Sequence, residues 1–270
     1  MSSELPKISV VTPSFNQAEF LERTMRSVLD QEYPNLEYIV IDGGSTDGSV
    51  DIIRKYEDRL AYWVSEPDRG QTDAINKGLR RATGEWAAWQ NSDDVYYPGV
   101  FADVARTTAR HPEADLIIGN MMLIDAHDNE LRDIHYVTPC HGALLAEGMV
   151  LTNQAAFWRR RVHEEIGWLS ESLHCSFDYE WFLRLTARHR GAHVNRMWGG
   201  YRLHDATKTS NLSQRFHEEN VQILQGRCLP QWKIRLYQLR RIVLMLGQGD
   251  IAYVLRGVIR RVRGKGGEMY

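Results

Sequence analysis

An α/β fold, with a mostly parallel sheet flanked by helices, is the class this chain predicts, on three observations. Short β-branched runs alternate with segments of helical spacing from Ile8 to Gln90. Each of the four runs stops at a turn of polar residues, Gly or Pro. The composition, 270 residues at 43% hydrophobic and 25% charged, is that of a folded globular chain.

The elements follow in order. Ile8 to Thr12 is a strand ended by Pro13, and Phe20, Leu21, Met25, Val28 and Leu29 repeat at helical spacing within a helix over Ala18 to Leu29. Glu37 to Ile41 is the second strand, stopping at Asp42-Gly43-Gly44, and a helix runs on through Ile52, Ile53 and Tyr56. Ala61 to Val64, a helix over Gly70 to Arg81, and a strand over Glu85 to Gln90 complete the alternation. Such alternation implies right-handed crossovers and strands pointing one way, so their C-terminal ends share one edge, where open α/β sheets bind ligands.

Beyond residue 100 the pattern is less regular. Leu116 to Ile118 reads as a strand, Met121 to Ile124 with Leu131 to Tyr136 as a hairpin, and Gln154 to Trp158 as an extended segment. Helices are expected over Arg160 to Ile166 and Phe177 to His189, and short strands at His193 to Met197 and Tyr201 to Leu203. Pro230 marks the boundary to a tail of two amphipathic helices, Trp232 to Leu246 and Ile251 to Val262. The expected organisation is a domain over 1–228, divided into a nucleotide-binding half (1–120) and an acceptor-side half (121–228), followed by the tail, 229–270.

Charge and cysteine usage narrow the class. Cys140, Cys175 and Cys228 are odd in number and form no CxxC pair, so neither a disulfide framework nor a zinc ribbon is expected. The N-terminal residues carry no basic-then-apolar leader and no apolar run reaches the length of a membrane span, so a cytoplasmic protein is expected. The net charge of −2 hides an asymmetry, with ten Lys or Arg against one acid, Asp250, between residues 227 and 265. Basic amphipathic helices lie flat on anionic membranes, so a peripheral place on the inner membrane face is expected through 229–265; the alternative is packing on the domain with the basic face in water. Nucleic acid is not an expected partner, since no aromatic-interleaved basic motif accompanies the charge.

Chemistry concentrates at the strand ends. Asn91-Ser92-Asp93-Asp94 places two carboxylates after the fourth run, downstream of a helix bearing Asp73, Asn76 and Lys77. That pattern suits a divalent cation and a phosphorylated ligand. Its plain alternative is a solvated turn before Pro98.

The residues TPSFNQ (12–17), VIDGGSTDGS (40–49), DRGQTDAINKG into GEWAAWQNSDDVYYP, QAAFWRR, FDYEWFLRL and YRLH together resemble the inverting family 2 glycosyltransferases of the GT-A fold, over about Lys7 to Asn211. The resemblance implies a nucleotide-diphosphate sugar donor, with UDP- or dTDP-sugars favoured. It implies a glycan or lipid-linked acceptor in cell-surface polysaccharide or glycolipid synthesis. It further implies a divalent metal, manganese or magnesium. A non-catalytic relative binding the same ligands is the alternative; an acid at 178 argues for catalysis. A nucleotidyltransferase would need a Gly-rich basic loop that TPSFNQ does not supply.

Residue by residue, Asp93 matches the metal position of the family's D-x-D motif, with Asn91 in place of its first acid and Asp94 read as structural. Thr12, Pro13, Phe15 and Asn16 match the loop around the base, and Asp42 matches the position that accepts the base's N3 proton; its alternative is a turn residue capping Gly44. Asp73, Asn76, Lys77, Asn91 and Ser92 are expected at ribose, sugar or diphosphate, or on a solvated helix face. Asp178 matches the catalytic base, or else a helix N-cap. His204 aligns with a late histidine near the metal, Arg202 and Lys208 with neutralisation of the diphosphate, and Gln154 and Trp158 with the acceptor-side wall, core packing being the alternative for Trp158.

Overall fold

The computed structural model describes residues 5–204 and 212–262. The four expected strands are present as β1 (Ile8–Ser14), β2 (Leu36–Asp42), β3 (Tyr62–Ser65) and β4 (Trp86–Trp89), paired parallel in the spatial order β3-β2-β1-β4. Helices α1 (Ala18–Leu29), α2 (Ser49–Lys55) and α3 (Gln71–Arg81) make the crossovers. Every residue of β1 and β4 is buried, which explains why these strands read as near-continuous apolar runs. On α1 the buried residues Phe20, Leu21, Thr24, Met25, Val28 and Leu29 form one stripe against the sheet. α3 lies so close to β1 that a Cβ on Gly78 would fall 2.3 Å from Val11 Cγ1.

The remaining strands extend this sheet. β5 (Val95–Tyr96), β6 (Leu116–Ile124), β7 (Glu130–Ile134), β8 (Ala156–Arg159) and β9 (Gly191–Arg202) join in the order β4-β8-β6-β9-β5, with β7 paired to β6 as the expected hairpin. β8 runs antiparallel to β4 and β6, while β6 and β9 are parallel. The strands expected separately at 116–118 and 121–124 are one strand, β6, and those at 193–197 and 201–203 are one strand, β9. Glycines that read as breaks are close approaches instead: a Cβ on Gly119 would sit 2.4 Å from the Trp198 ring.

Among the helices, α4 (Val100–Arg110) and α5 (His141–Glu147) were not among the expected elements. Val100, Phe101 and Val104 are buried on α4 at helical spacing, a signal present in the chain. α6 (Val162–Ile166) and α7 (Phe177–Arg188) match expectation, and α8 (Ser213–Ile223) is an addition. Under α7 the core is aromatic, with Trp89 5.1 Å from Trp158, Trp158 4.7 Å from Trp181 and Trp89 6.0 Å from Phe182 between ring centroids.

The tail helices are α9 (Gln231–Gly247) and α10 (Ile251–Val262). They pack on the domain, but with the reverse of the polarity expected of a docked amphipathic pair. Three of the arginines turn toward the domain: Arg240 donates to the Thr138 carbonyl, Arg241 pairs with Glu147 at 3.0 Å, and Arg256 pairs with Asp133. The apolar residues Trp232, Leu236, Leu239, Val243, Leu255 and Val258 are left exposed. No helix among the described residues is long and apolar enough to cross a membrane.

Candidate active site

At the end of β4 two neighbouring carboxylates have different fates. Asp94 is buried, its Oδ2 accepting from Asn91 Nδ2 at 2.9 Å and Gln154 Nε2 at 2.7 Å, and its Oδ1 from the Arg202 backbone N–H at 2.9 Å. Burial, then the charge of Asp93, pushes its carboxyl above the ordinary range. The Thr24 hydroxyl holds the same turn, 2.9 Å from the Ser92 carbonyl and 2.7 Å from that of Asp94. Asp94 anchors the turn, and the backbone reversal leaves the Asp93 side chain 24% exposed.

Asp93 Oδ2 lies 3.1 Å from His204 Nε2, so residues 111 positions apart in sequence meet. The hydrogen bond to Asp93 raises the His204 pKa, against the opposing effect of burial. His204 in turn packs on the Phe20 ring at 4.6 Å. No cluster of three or more His, Cys, Asp or Glu able to hold a metal occurs among the described residues. The Asp93 carboxylate by itself suits a cation such as magnesium, which takes one or two protein carboxylates and completes its shell with phosphate oxygens and water, while His204 Nε2 is engaged by Asp93.

Several residues expected to touch ligand are structural. Arg202 is fully buried, its Nε donating to the Asp93 carbonyl at 2.7 Å and its Nη1 to the Asp125 carbonyl at 3.0 Å, with Asp128 Oδ1 2.6 Å away. It therefore holds the turn of Asp93 and Asp94 from behind; pulling a buried guanidinium off such partners costs about 3–5 kcal/mol. Trp158 is fully buried, donating from Nε1 to His163 Nε2 at 3.0 Å. Emptying that core position costs about 3–5 kcal/mol, more than the ~0.5–1.5 kcal/mol returned by an aromatic contact. Gln154 is buried on Asp94 and forms no acceptor wall.

The same correction applies on the donor side. Asp42 is fully buried; its Oδ2 accepts from the N–H groups of Gly44 (3.1 Å) and Ser45 (2.9 Å) and from Ser65 Oγ (2.7 Å), and its Oδ1 from Ser45 Oγ (2.6 Å). It is the turn cap, and no lone pair faces a ligand. Thr12 is buried with its hydroxyl accepting from Tyr38 at 2.9 Å, and Pro13 is buried beside it. Asn16 spends its side-chain oxygen on the Thr46 N–H at 2.9 Å. Asn91 bridges Gln71 and Asp94, which engages its oxygen and one of its two amide N–H groups, and Ser92 is buried.

On α3, Asp73 is buried against Arg69, and Asn76 is clamped to both the N–H and carbonyl of Leu169 at 3.1 and 2.9 Å. Burial would raise the Asp73 carboxyl, but the two Arg69 bonds and Lys77 hold it below its ordinary value. Lys77 bonds Glu66 at 3.1 Å and keeps partial exposure. Phe15, by contrast, is 59% exposed. Lys208 lies outside the described residues.

Asp178 stands in the first turn of α7, after the N-cap Ser176, and is half-buried. Burial pushes its carboxyl up to about 6, against the Tyr179 N–H that Oδ1 accepts at 2.7 Å, with Glu219 adding a further rise. A helix N-terminus lowers an acid and burial raises it; here burial wins. Glu180 points away and pairs with Arg184 at 2.7 Å.

Sequence reasoning missed the groups that set this loop. Glu219, on α8, accepts the N–H groups of His174 (3.0 Å), Cys175 (2.9 Å) and Ser176 (2.8 Å), a carboxylate capping a helix whose N-cap lies 43 residues earlier in the chain. Arg69 pairs with Glu171 at 2.7 Å, and Gln71 donates to Asn91 at 2.9 Å. α3 thereby ties the loop of Asp178 to the turn of Asp93. At the start of α3 lies a cavity of about 230 Å³ lined by Arg69, Gln71, Asp73, His174 and Arg215, and by neither Asp93 nor Asp178. A larger groove of about 480 Å³, along α1 and β5, holds none of the expected site residues.

Comparison with known proteins fits this geometry. The sequence model described as "Glycosyl transferase family 2" matches residues 9–179. An uncharacterized glycosyltransferase of Mycobacterium tuberculosis, Rv1514c, is 34% identical over 182 residues, covering 66% of this chain and 68% of that protein. TuaG of Bacillus subtilis, provisionally assigned to teichuronic acid biosynthesis, is 42% identical over 99 residues; the match covers 36% of this chain and only 39% of TuaG. Among solved structures, Staphylococcus aureus TarS in complex with UDP-GlcNAc superposes with a TM-score of 0.65 at 18% identity, over 81% of this chain and 67% of that one. The mannosyltransferase PcManGT of Pyrobaculum calidifontis, with GDP-Man and Mn2+, gives 0.63 at 19%, over 83% and 65%.

Proposed function

Because the chain belongs to glycosyl transferase family 2, with the α/β sheet of the GT-A glycosyltransferases, we propose that it is an inverting transferase moving a sugar from a nucleotide diphosphate to a hydroxyl. UDP- or dTDP-sugars are the favoured donors, and a glycan or lipid-linked acceptor of cell-surface polysaccharide synthesis is the favoured recipient. The observation that carries the reading is the tie between the turn of Asp93 and the loop leading to Asp178: Gln71 of α3 bonds Asn91, while Arg69, just before α3, pairs with Glu171 and Asn76 bonds Leu169. TuaG's name supports surface-polysaccharide synthesis, and the ligands in the TarS and PcManGT complexes support a nucleotide-sugar donor.

The chain's own groups divide the work. Asp178, with Oδ1 engaged by Tyr179, offers Oδ2 to the acceptor hydroxyl and takes its proton as the new C–O bond forms. The bond from the anomeric carbon to the diphosphate breaks on the opposite face, so configuration inverts and the nucleoside diphosphate leaves with the electron pair. A pKa near 6 leaves Asp178 ionised at neutral pH yet more basic than an ordinary aspartate. Asp93 would hold the divalent ion, which supplies charge neutralisation for the diphosphate. Arg202 and Asp94 keep Asp93 in place.

A thermal-unfolding screen of the full chain with manganese and UDP-, dTDP-, GDP- and CDP-sugars tests the donor. A true donor at about 100 times its Kd adds ~2.7 kcal/mol of stability, and nucleoside diphosphate should then be released with acceptor present. Absence of a shift with every nucleotide sugar would sink the reading.

We also propose that α9 and α10 seat the enzyme on an anionic membrane. The exposed apolar face carries Trp232 at one end, with exposed Lys233, Arg235 and Arg260 alongside. A second copy is the poorer occupant, since like charges would meet across a symmetric contact. Full-length protein should float with phosphatidylglycerol vesicles, and Leu239→Glu with Val243→Glu should abolish flotation. Failure of the native chain to float would assign the face elsewhere.

A further inference from the structure

The carboxylate that can read the base is not Asp42, whose oxygens are saturated, and a second acid stands beside it. Gly43 follows Asp42 at the end of β2, and a Cβ there would fall 2.7 Å from Asp68 Oδ2 and 3.3 Å from Phe15 Cδ2. Glycine at 43 thus leaves room for side chains from two other loops, after β1 and after β3, to meet over the end of β2. Asp68 Oδ1 accepts the Gly70 N–H at 2.7 Å, which orients the carboxylate. Oδ2 has no hydrogen-bond partner among the described residues, and Asp68 is half-buried. Phe15 presents a ring that is 59% exposed.

We infer that Phe15 and Asp68 form the recognition site for a uracil or thymine base, Phe15 packing on its face and Asp68 Oδ2 accepting its imide N–H. This deepens the proposed donor reading and rests on it. An imide presents one ring N–H between two carbonyls, which suits one free carboxylate oxygen. Cytosine presents a ring nitrogen acceptor at that position, and two lone pairs would face each other. Guanine's paired donors call for both carboxylate oxygens, and Gly70 already engages one.

Calorimetry of the full-length chain with manganese and UDP, CDP or GDP tests the assignment. Native protein should prefer UDP. Asp68→Ala should weaken UDP about tenfold to a hundredfold, the range of a charge-assisted hydrogen bond, and tighten CDP by relieving the opposed lone pairs, while Phe15→Ala should weaken UDP and CDP alike. Asp68→Asn, which preserves shape if the alanine variant unfolds, should also collapse the preference for UDP over CDP. UDP binding unaltered in both Asp68 variants, or a native preference for GDP, would overturn the assignment and leave the donor reading standing. A native chain that binds none of the three diphosphates would remove the donor reading and this assignment with it.

Discussion

Asp178→Asn is expected to lower turnover by ~10²–10⁴-fold, the range of general-base catalysis, while donor binding is unchanged. The amide keeps the shape and the bond to Tyr179 but accepts no proton. Native activity should rise with pH and level off above about 6, because the base works only when ionised and its folded-state pKa is about 6. The same shift has a cost in stability. A carboxyl raised from 3.8 to about 6 binds its proton more tightly folded than unfolded, so its stabilising contribution is present at low pH and lost as pH rises through 6. Asp178→Asn should therefore be more stable than the native chain at pH 8, by about 1–3 kcal/mol, with the gain fading toward pH 4. Single-turnover rates and thermal unfolding across this range check both signs, and near-native turnover in the variant would remove Asp178 from the mechanism.

Asp93→Ala should abolish the manganese dependence of donor binding, weakening UDP by at least ~100-fold in the presence of the ion and changing little in its absence. Unlike Asp94, which satisfies three donors, Asp93 offers its side chain, among the described residues, only to His204. Loss of binding without loss of thermal stability is therefore the expected signature. Calorimetry with and without manganese measures it, and equal affinity of native and variant chains under both conditions would dissociate Asp93 from the ion.

How much of this was legible beforehand differs between backbone and side chains. β1 to β4 and α1 to α3 were readable because local repeats of two and 3.6 residues encode them, and the strand-end edge followed from topology alone. α4 was readable in principle from Val100, Phe101 and Val104. Side-chain roles were less legible. Asp42, Asn76, Gln154, Trp158 and Arg202 carry the polar or aromatic chemistry a site needs, yet each is consumed by its neighbours. Glu219 gave no local signal, since its partners belong to a loop distant in sequence; Asp68 read only as one polar residue at the end of the third strand, and its meeting with Phe15 is defined by a glycine's missing Cβ.

By itself, the order of residues determined the α/β class, the polar strand ends and the acids at 93 and 178, because secondary structure and turn chemistry depend on near neighbours. Tertiary structure alone decided which of two adjacent carboxylates projects, how far Asp178 titrates above an ordinary aspartate, and that Arg240, Arg241 and Arg256 of the tail turn toward the domain. Those outcomes depend on burial and on donors that come from remote segments, and neither quantity exists until the chain has closed on itself.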